Sequence, residues 1–130
     1  MQDIDTREDI HKVVHAFYNR LLDIPVMKSF FAQGMEMDME AHLDIIVNFW
    51  ESALLGVSAY KGNVMLKHLE LDKVKRLDES HFNLWVDNWK ETIDAHYQGD
   101  KADEAKNKAE SIKNLMIYKI TASRKPGFIQ

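Results

Sequence analysis

A chain of 130 residues can bury a real core and reads as one domain, and its net charge of −4 speaks against a duplex nucleic-acid binder, which needs a basic face to neutralise phosphates. The absence of cysteine excludes disulfides, iron–sulfur clusters and thiolate zinc sites and fits a reducing cytosol. The opening MQDIDTREDIH lacks the apolar centre of a signal peptide and no run is long enough to cross a bilayer, so the expectation is a soluble cytoplasmic protein with neither membrane nor nucleic acid as partner.

Helical spacing dominates and strand-like alternation is absent, which predicts an all-α fold. The first helix starts near Thr6, with Asp9 three residues on as the second half of a capping box. Ile10, Val13, Val14, Phe17, Tyr18, Leu21 and Leu22 form its apolar stripe at i, i+3, i+4, i+7 spacing. Pro25 ends that helix or opens a short one through Phe31. The stretch Ala32–Asp38 reads as a loop, where Gly34 permits a bend and Met35, Met37 and Met39 serve as soft gap-fillers.

The next helix, from Asp38 to a glycine stop at Leu55–Gly56, contains HLDIIVNFWESALLG. Ile45, Ile46, Val47, Phe49, Trp50, Ala53 and Leu54 fill an arc of roughly 200°, about twice what a core-facing helix needs. His42 falls inside that arc. A helix so broadly apolar needs two partners, and a large apolar ligand is a candidate for one of them.

A looser stretch to Gly62 leads into a short helix over Asn63–Leu71 that carries His68. Asp78 is the N-cap candidate of a long helix with the stripe Phe82, Trp85, Val86, Trp89, Ile93 and Tyr97. Gly99 breaks the chain, and Asp100 is expected to cap the last helix, which carries Ala105, Ala109, Ile112, Leu115, Met116 and Ile120. Residues 1–5 and 122–130 are expected to fray. The reading is a single domain over 1–130, with about five substantial helices and some short ones, and no internal repeat. A plain up-down bundle gives the short His68 helix no purpose, whereas a fold that cradles something between its helices does.

His68 sits among Val64, Met65, Leu66, Leu69 and Leu71, which is what an axial haem ligand requires: a neutral imidazole with neighbours that exclude water. Taken alone, a half-buried histidine near a helix end reads as well. His42 is alone no stronger, but the two histidines suggest one on each side of a flat ligand. Tyr18 lies on a buried stripe, so its hydroxyl needs a partner, either a bound ligand or a backbone carbonyl. The Trp85 indole offers a donor to a ligand or to the core. Phe30 and Phe31 pack on an apolar ring or pin their loop. His11 and His15 stand four apart, but Lys12 follows His11 where the zinc-protease motif has glutamate, and they read as two exposed histidines. A Gly-rich phosphate loop and a serine elbow are both absent.

Together, FYNRLLDIP, the pair Phe30–Phe31, HLDIIVNFWESALLG, YKGNVMLKHLEL and HFNLWVDNWKETID carry a resemblance. In this order and spacing, from Phe17 to about Ile120, the chain resembles the third group of bacterial truncated haemoglobins. The resemblance implies a truncated globin fold, a helical sandwich around haem b. It implies His68 as the iron ligand and Tyr18, His42 and Trp85 on the ligand-binding side, with Ile46 one turn beyond His42. Phe31, Trp50, Tyr60 and Leu71, with His42, Ile46 and Trp85, fall on haem contacts around the pocket and its edge. Val64 stands where many relatives have proline, and the paired glycines of the first group are absent, as is normal for the third.

The implied function is binding of dioxygen and other diatomics, NO and CO, with high oxygen affinity. Tight binding suits oxygen, nitric oxide or peroxide chemistry better than bulk transport, and turnover needs electrons from a separate reductase. The competing expectation is a haem-free helical sensor or adaptor module.

Overall fold

The computed structural model describes residues 1–33, 38–58, 60 and 62–124, with the backbone alone at 32 and 33. Six helices follow in order: α1 (Arg7–Leu21), α2 (Pro25–Gln33), α3 (Met39–Leu55), α4 (Val64–Val74), α5 (Glu79–His96) and α6 (Asp100–Ser123). No strand occurs among the described residues. The expected features at Gly34, Met35 and Met37, and the fraying of 125–130, lie outside those residues.

The helix boundaries follow local chemistry. Thr6 and Asp9 form a reciprocal capping box at the start of α1, a device worth about 1 kcal/mol. Asp38, Asn63 and Asp78 accept hydrogen bonds from first-turn N–H groups of α3, α4 and α5. Gly56 ends α3 in the left-handed conformation, φ 70°, which favours glycine.

The cap of α6 departs from expectation. Asp100 is already its first residue, and Gly99 at the N-cap provides no side chain. The Asp3 carboxylate accepts instead from the backbone N–H groups of Lys101 and Ala102, both at 2.9 Å. Burial raises the Asp3 pKa, but those bonds and one from the Ile4 N–H outweigh it and hold the acid below its usual range. A side chain at Gly99 would collide with Asp3, and φ there is 141°. The N-terminal segment is therefore not frayed. Ile4 is buried and Gln2 accepts a backbone bond from Gln98. At the other end, Ser123 is still helical and the Arg124 guanidinium ties the end of α6 to Asp72 and the Leu77 carbonyl.

Helix α1 packs on α3 and α5, α5 on α6, and α6 also meets α3 and α4. The core falls into two clusters. One gathers Ile10, Val14, Phe17, Val47, Trp50, Trp89 and Ile93 from α1, α3 and α5, and the other gathers Phe30, Leu69, Leu77, Phe82, Met116 and Ile120.

Candidate cofactor cavity

Between the two clusters lies a cavity of about 840 Å³, well within the size of small-molecule sites. Every helix contributes to its wall. Phe17, Tyr18 and Leu21 come from α1; Met27, Phe30 and Phe31 from α2; His42, Ile46, Phe49 and Trp50 from α3. Helix α4 adds Val64, Lys67, His68 and Leu71; α5 adds Phe82 and Trp85; α6 adds Ile112 and Met116. All nine residues singled out from the sequence (Tyr18, Phe31, His42, Ile46, Trp50, Tyr60, His68, Leu71 and Trp85) line this one space.

On the α4 side, the His68 Nδ1 lies 2.8 Å from the Val64 carbonyl oxygen. A carbonyl only accepts, so Nδ1 is the nitrogen that carries the hydrogen. Burial pushes the His68 pKa down more than this bond raises it, which favours the neutral ring. A neutral ring with its hydrogen on Nδ1 leaves a lone pair on Nε2. That nitrogen has no protein hydrogen-bond partner among the described residues. The Phe82 ring lies 6.5 Å from the imidazole.

On the opposite side, the Tyr18 hydroxyl is 2.9 Å from His42 Nε2. Burial moves the Tyr18 pKa far above the usual phenol range, so the hydroxyl keeps its proton. The His42 pKa is lowered, first by burial and second by the His68 imidazole, so the ring favours its neutral form. Phe31 wedges edge-on against both Tyr18 and His42, at 5.8 and 5.7 Å. Half-buried Trp85 meets Phe17 edge-on at 6.4 Å, and its indole N–H has no protein acceptor among the described residues.

Trp50 forms part of the back wall, stacked on Trp89 at 4.5 Å and 19°; Trp89 in turn donates to the Ala105 carbonyl. Tyr60 is pinned through its backbone N–H to Ser52 Oγ at 2.9 Å, and its ring stands edge-on to Phe49. Ile45, expected inside the apolar arc, is 50 % exposed although it still lines the space. Sequence reasoning assigned Phe82, Ile112 and Met116 to core stripes and passed over Met27 and Leu77, yet all five line the cavity. Helical periodicity identifies such residues as inward-facing but does not separate core from ligand wall.

The described residues form six helices around an apolar cavity with His42 and His68 in its wall, and the solved structure on which they superpose, a truncated hemoglobin, shows that this is the truncated globin fold. No protein-family model matches the chain. The crystal structure of the group III truncated hemoglobin from Campylobacter jejuni superposes with a TM-score of 0.78 at 22% identity, over 92% of this chain and 95% of that one. In sequence, the chain is 24% identical over 119 residues to the protein described as group 3 truncated hemoglobin ctb of Campylobacter jejuni, which covers 87% of this chain and 91% of that protein. The resemblance drawn from the sequence motifs thus has a counterpart in both comparisons.

Proposed function

We propose that this chain is a group III truncated haemoglobin, a bacterial cytoplasmic haem protein that binds dioxygen, NO and CO. One observation carries the reading: a neutral imidazole with an unshared Nε2 lone pair faces a tyrosine–histidine pair across an apolar cavity. A bare transition ion asks for three or four protein ligands. Among the described residues no group of three or more His, Cys, Asp or Glu is placed to hold one. A metal that brings four equatorial nitrogens of its own needs a single imidazole, and haem b fits that donor set.

Haem supplies an iron centre that binds diatomic gases and exchanges electrons. His68 is the residue that would hold it, and the Val64 carbonyl fixes the imidazole's tautomer and would raise its basicity as a ligand. Leu71, Phe31, Ile46, Trp50 and Tyr60 line the cavity and would supply apolar and edge contacts to the haem and exclude water. With the hydrogen of His42 on Nε2, that N–H donates to the Tyr18 oxygen, and the Tyr18 hydrogen is then free to point at a ligand. Donation along such a chain polarises each bond in it. Tyr18 O–H and Trp85 N–H are then two donors to a diatomic carrying partial negative charge. At about 1–2 kcal/mol each, both together would slow oxygen release by roughly 30- to 900-fold. Such retention suits oxygen, nitric oxide or peroxide chemistry rather than bulk transport, with electrons drawn from a separate reductase.

The test is a visible spectrum of protein purified with haem available, recorded oxidised, reduced, and reduced under carbon monoxide. The expected result is an intense Soret band that shifts with carbon monoxide. A featureless spectrum that added hemin does not change would replace this reading with the haem-free helical module.

A further inference from the structure

We propose that His81 anchors a carboxylate of the cavity's occupant: its Nε2–H is a preset donor to one propionate of the haem. The inference rests on the haem reading and extends it to the acidic edge of the ligand. His81 is the third residue of α5 and lines the cavity, with its side chain 14% exposed. It completes a capping box at the start of that helix. The Asp78 side chain accepts from first-turn N–H groups, and the Asp78 backbone N–H donates to His81 Nδ1 at 3.0 Å. A nitrogen that accepts carries no hydrogen, so the ring takes the tautomer with its hydrogen on Nε2. The Nε2 atom has no protein partner among the described residues and is not sealed within the core.

Glutamate is the usual partner in such a cap, and it offers only acceptors. Histidine accepts at one end of its ring and donates at the other, so the cap itself fixes which nitrogen donates. The buried Phe30 ring, also in the cavity wall, stands edge-on to the imidazole with centroids 4.9 Å apart and holds its plane. The Lys75 ammonium lies 5.2 Å from the centroid of the same Phe30 ring and brings positive charge to this end of the space. The Asp78 carboxylate lies toward Nδ1, 3.6 Å away, and accepts from the Ser80 N–H. Haem b is apolar apart from its two propionates, and a carboxylate drawn into a cavity mouth needs donors. On the haem reading His42, His68 and Trp85 serve the iron and the gas-binding side. Of the other nitrogen-bearing side chains in the wall, Asn48 is engaged by Arg7, and Lys67 is exposed, where an ammonium stays solvated and contributes little.

The test is the rate at which the full-length ferric complex gives up its porphyrin to excess apomyoglobin, followed at the Soret band. It is run with hemin and with hemin dimethyl ester, in which both carboxylates are methylated. The unmodified chain is compared with His81→Leu, which removes donor and cap, and with His81→Glu, which keeps an acceptor for the cap and removes the donor. A hydrogen bond to a charged acceptor is about twice as strong as a neutral one, so hemin should leave both variants about tenfold faster than the unmodified chain. The dimethyl ester should leave all three within about threefold of one another. Equal acceleration of hemin and ester in His81→Leu, with His81→Glu as slow as the unmodified chain, would reduce His81 to a helix cap and overturn the proposal. Hemin release unchanged in both variants would overturn it too. An unmodified chain that takes up neither porphyrin would overturn the haem reading itself, and the anchor with it.

Discussion

Helices α1 and α4 supply the two faces of the cavity and are held in opposite ways. Helix α1 buries Ile10, Val13, Val14, Phe17, Tyr18 and Leu21 against α3 and α5, and both of its ends are capped. Helix α4 has 11 residues, of which Leu69 alone is buried, and its principal helix contact is α6. A fully buried aliphatic or aromatic side chain stabilises by about 1.5–3 kcal/mol, so six against one is a large difference in anchorage. An isolated helix of that length is marginal in water. Val64, His68 and Leu71 spend their inward faces on the cavity rather than on another helix. The Tyr18 hydroxyl therefore sits on a well-anchored helix, and His68, which on the proposed reading would hold the haem, sits on one that rests on α6 and turns its other face to the cavity.

The sharpest way to break this contrast is His68→Ala. It should abolish stable haem retention, read as loss of the Soret band after desalting, and a variant that keeps its haem would refute the assignment of His68. Next in size, Tyr18→Phe should keep haem and accelerate oxygen dissociation about 5- to 30-fold, the loss of one hydrogen bond of about 1–2 kcal/mol, measured by stopped flow.

A smaller effect comes through protons. Burial, with the His68 imidazole second, holds the His42 pKa below its usual 6.5, so the unfolded chain takes up the proton first. The His42 contribution to stability is then complete above about pH 6.5 and is lost as pH falls through its lowered pKa. Urea midpoints measured from pH 7.5 to 5 should fall more steeply in the unmodified apoprotein than in His42→Leu. Parallel curves would show that the imidazole is not held neutral by the fold. The smallest expected change is Val64→Pro. Val64 is the first residue of α4, where proline suits the backbone, and its carbonyl, the acceptor from His68, is retained. Stability should rise by about 0.4–1 kcal/mol in chemical denaturation, and a loss would mean that this turn needs its present freedom.

The features readable in the sequence are those set by neighbours along the chain. The Thr6–Asp9 capping box, the Asp78 cap, the Gly56 stop and the membership of the stripes depend on residues within a turn or two. Contacts made across the fold were not readable. Periodicity places Tyr18 and His42 on inward faces, but the 2.9 Å bond between them depends on how α1 crosses α3. The Val64 carbonyl is only four residues from His68, yet choosing it over other acceptors requires the rotamer of the ring. Trp50 reads as a pocket aromatic, and its stacking on Trp89 emerges only when α3 is brought against α5. Asp100 was the obvious cap for α6, and nothing near it in sequence points to Asp3.

That last contact bears on the order in which the chain can assemble. Asp3 and Ala102 are 99 positions apart, so the start of α6 is completed by a group made long before that helix. During translation Asp3 has no α6 N–H groups to accept from until that helix is made, and the closure is non-local, the kind of contact that slows folding. Joining residues 2–4 to α6 turns an open string of helices into a closed loop. An extension fused directly ahead of Asp3 would therefore act on α6, far along the chain, as well as on the neighbouring α1.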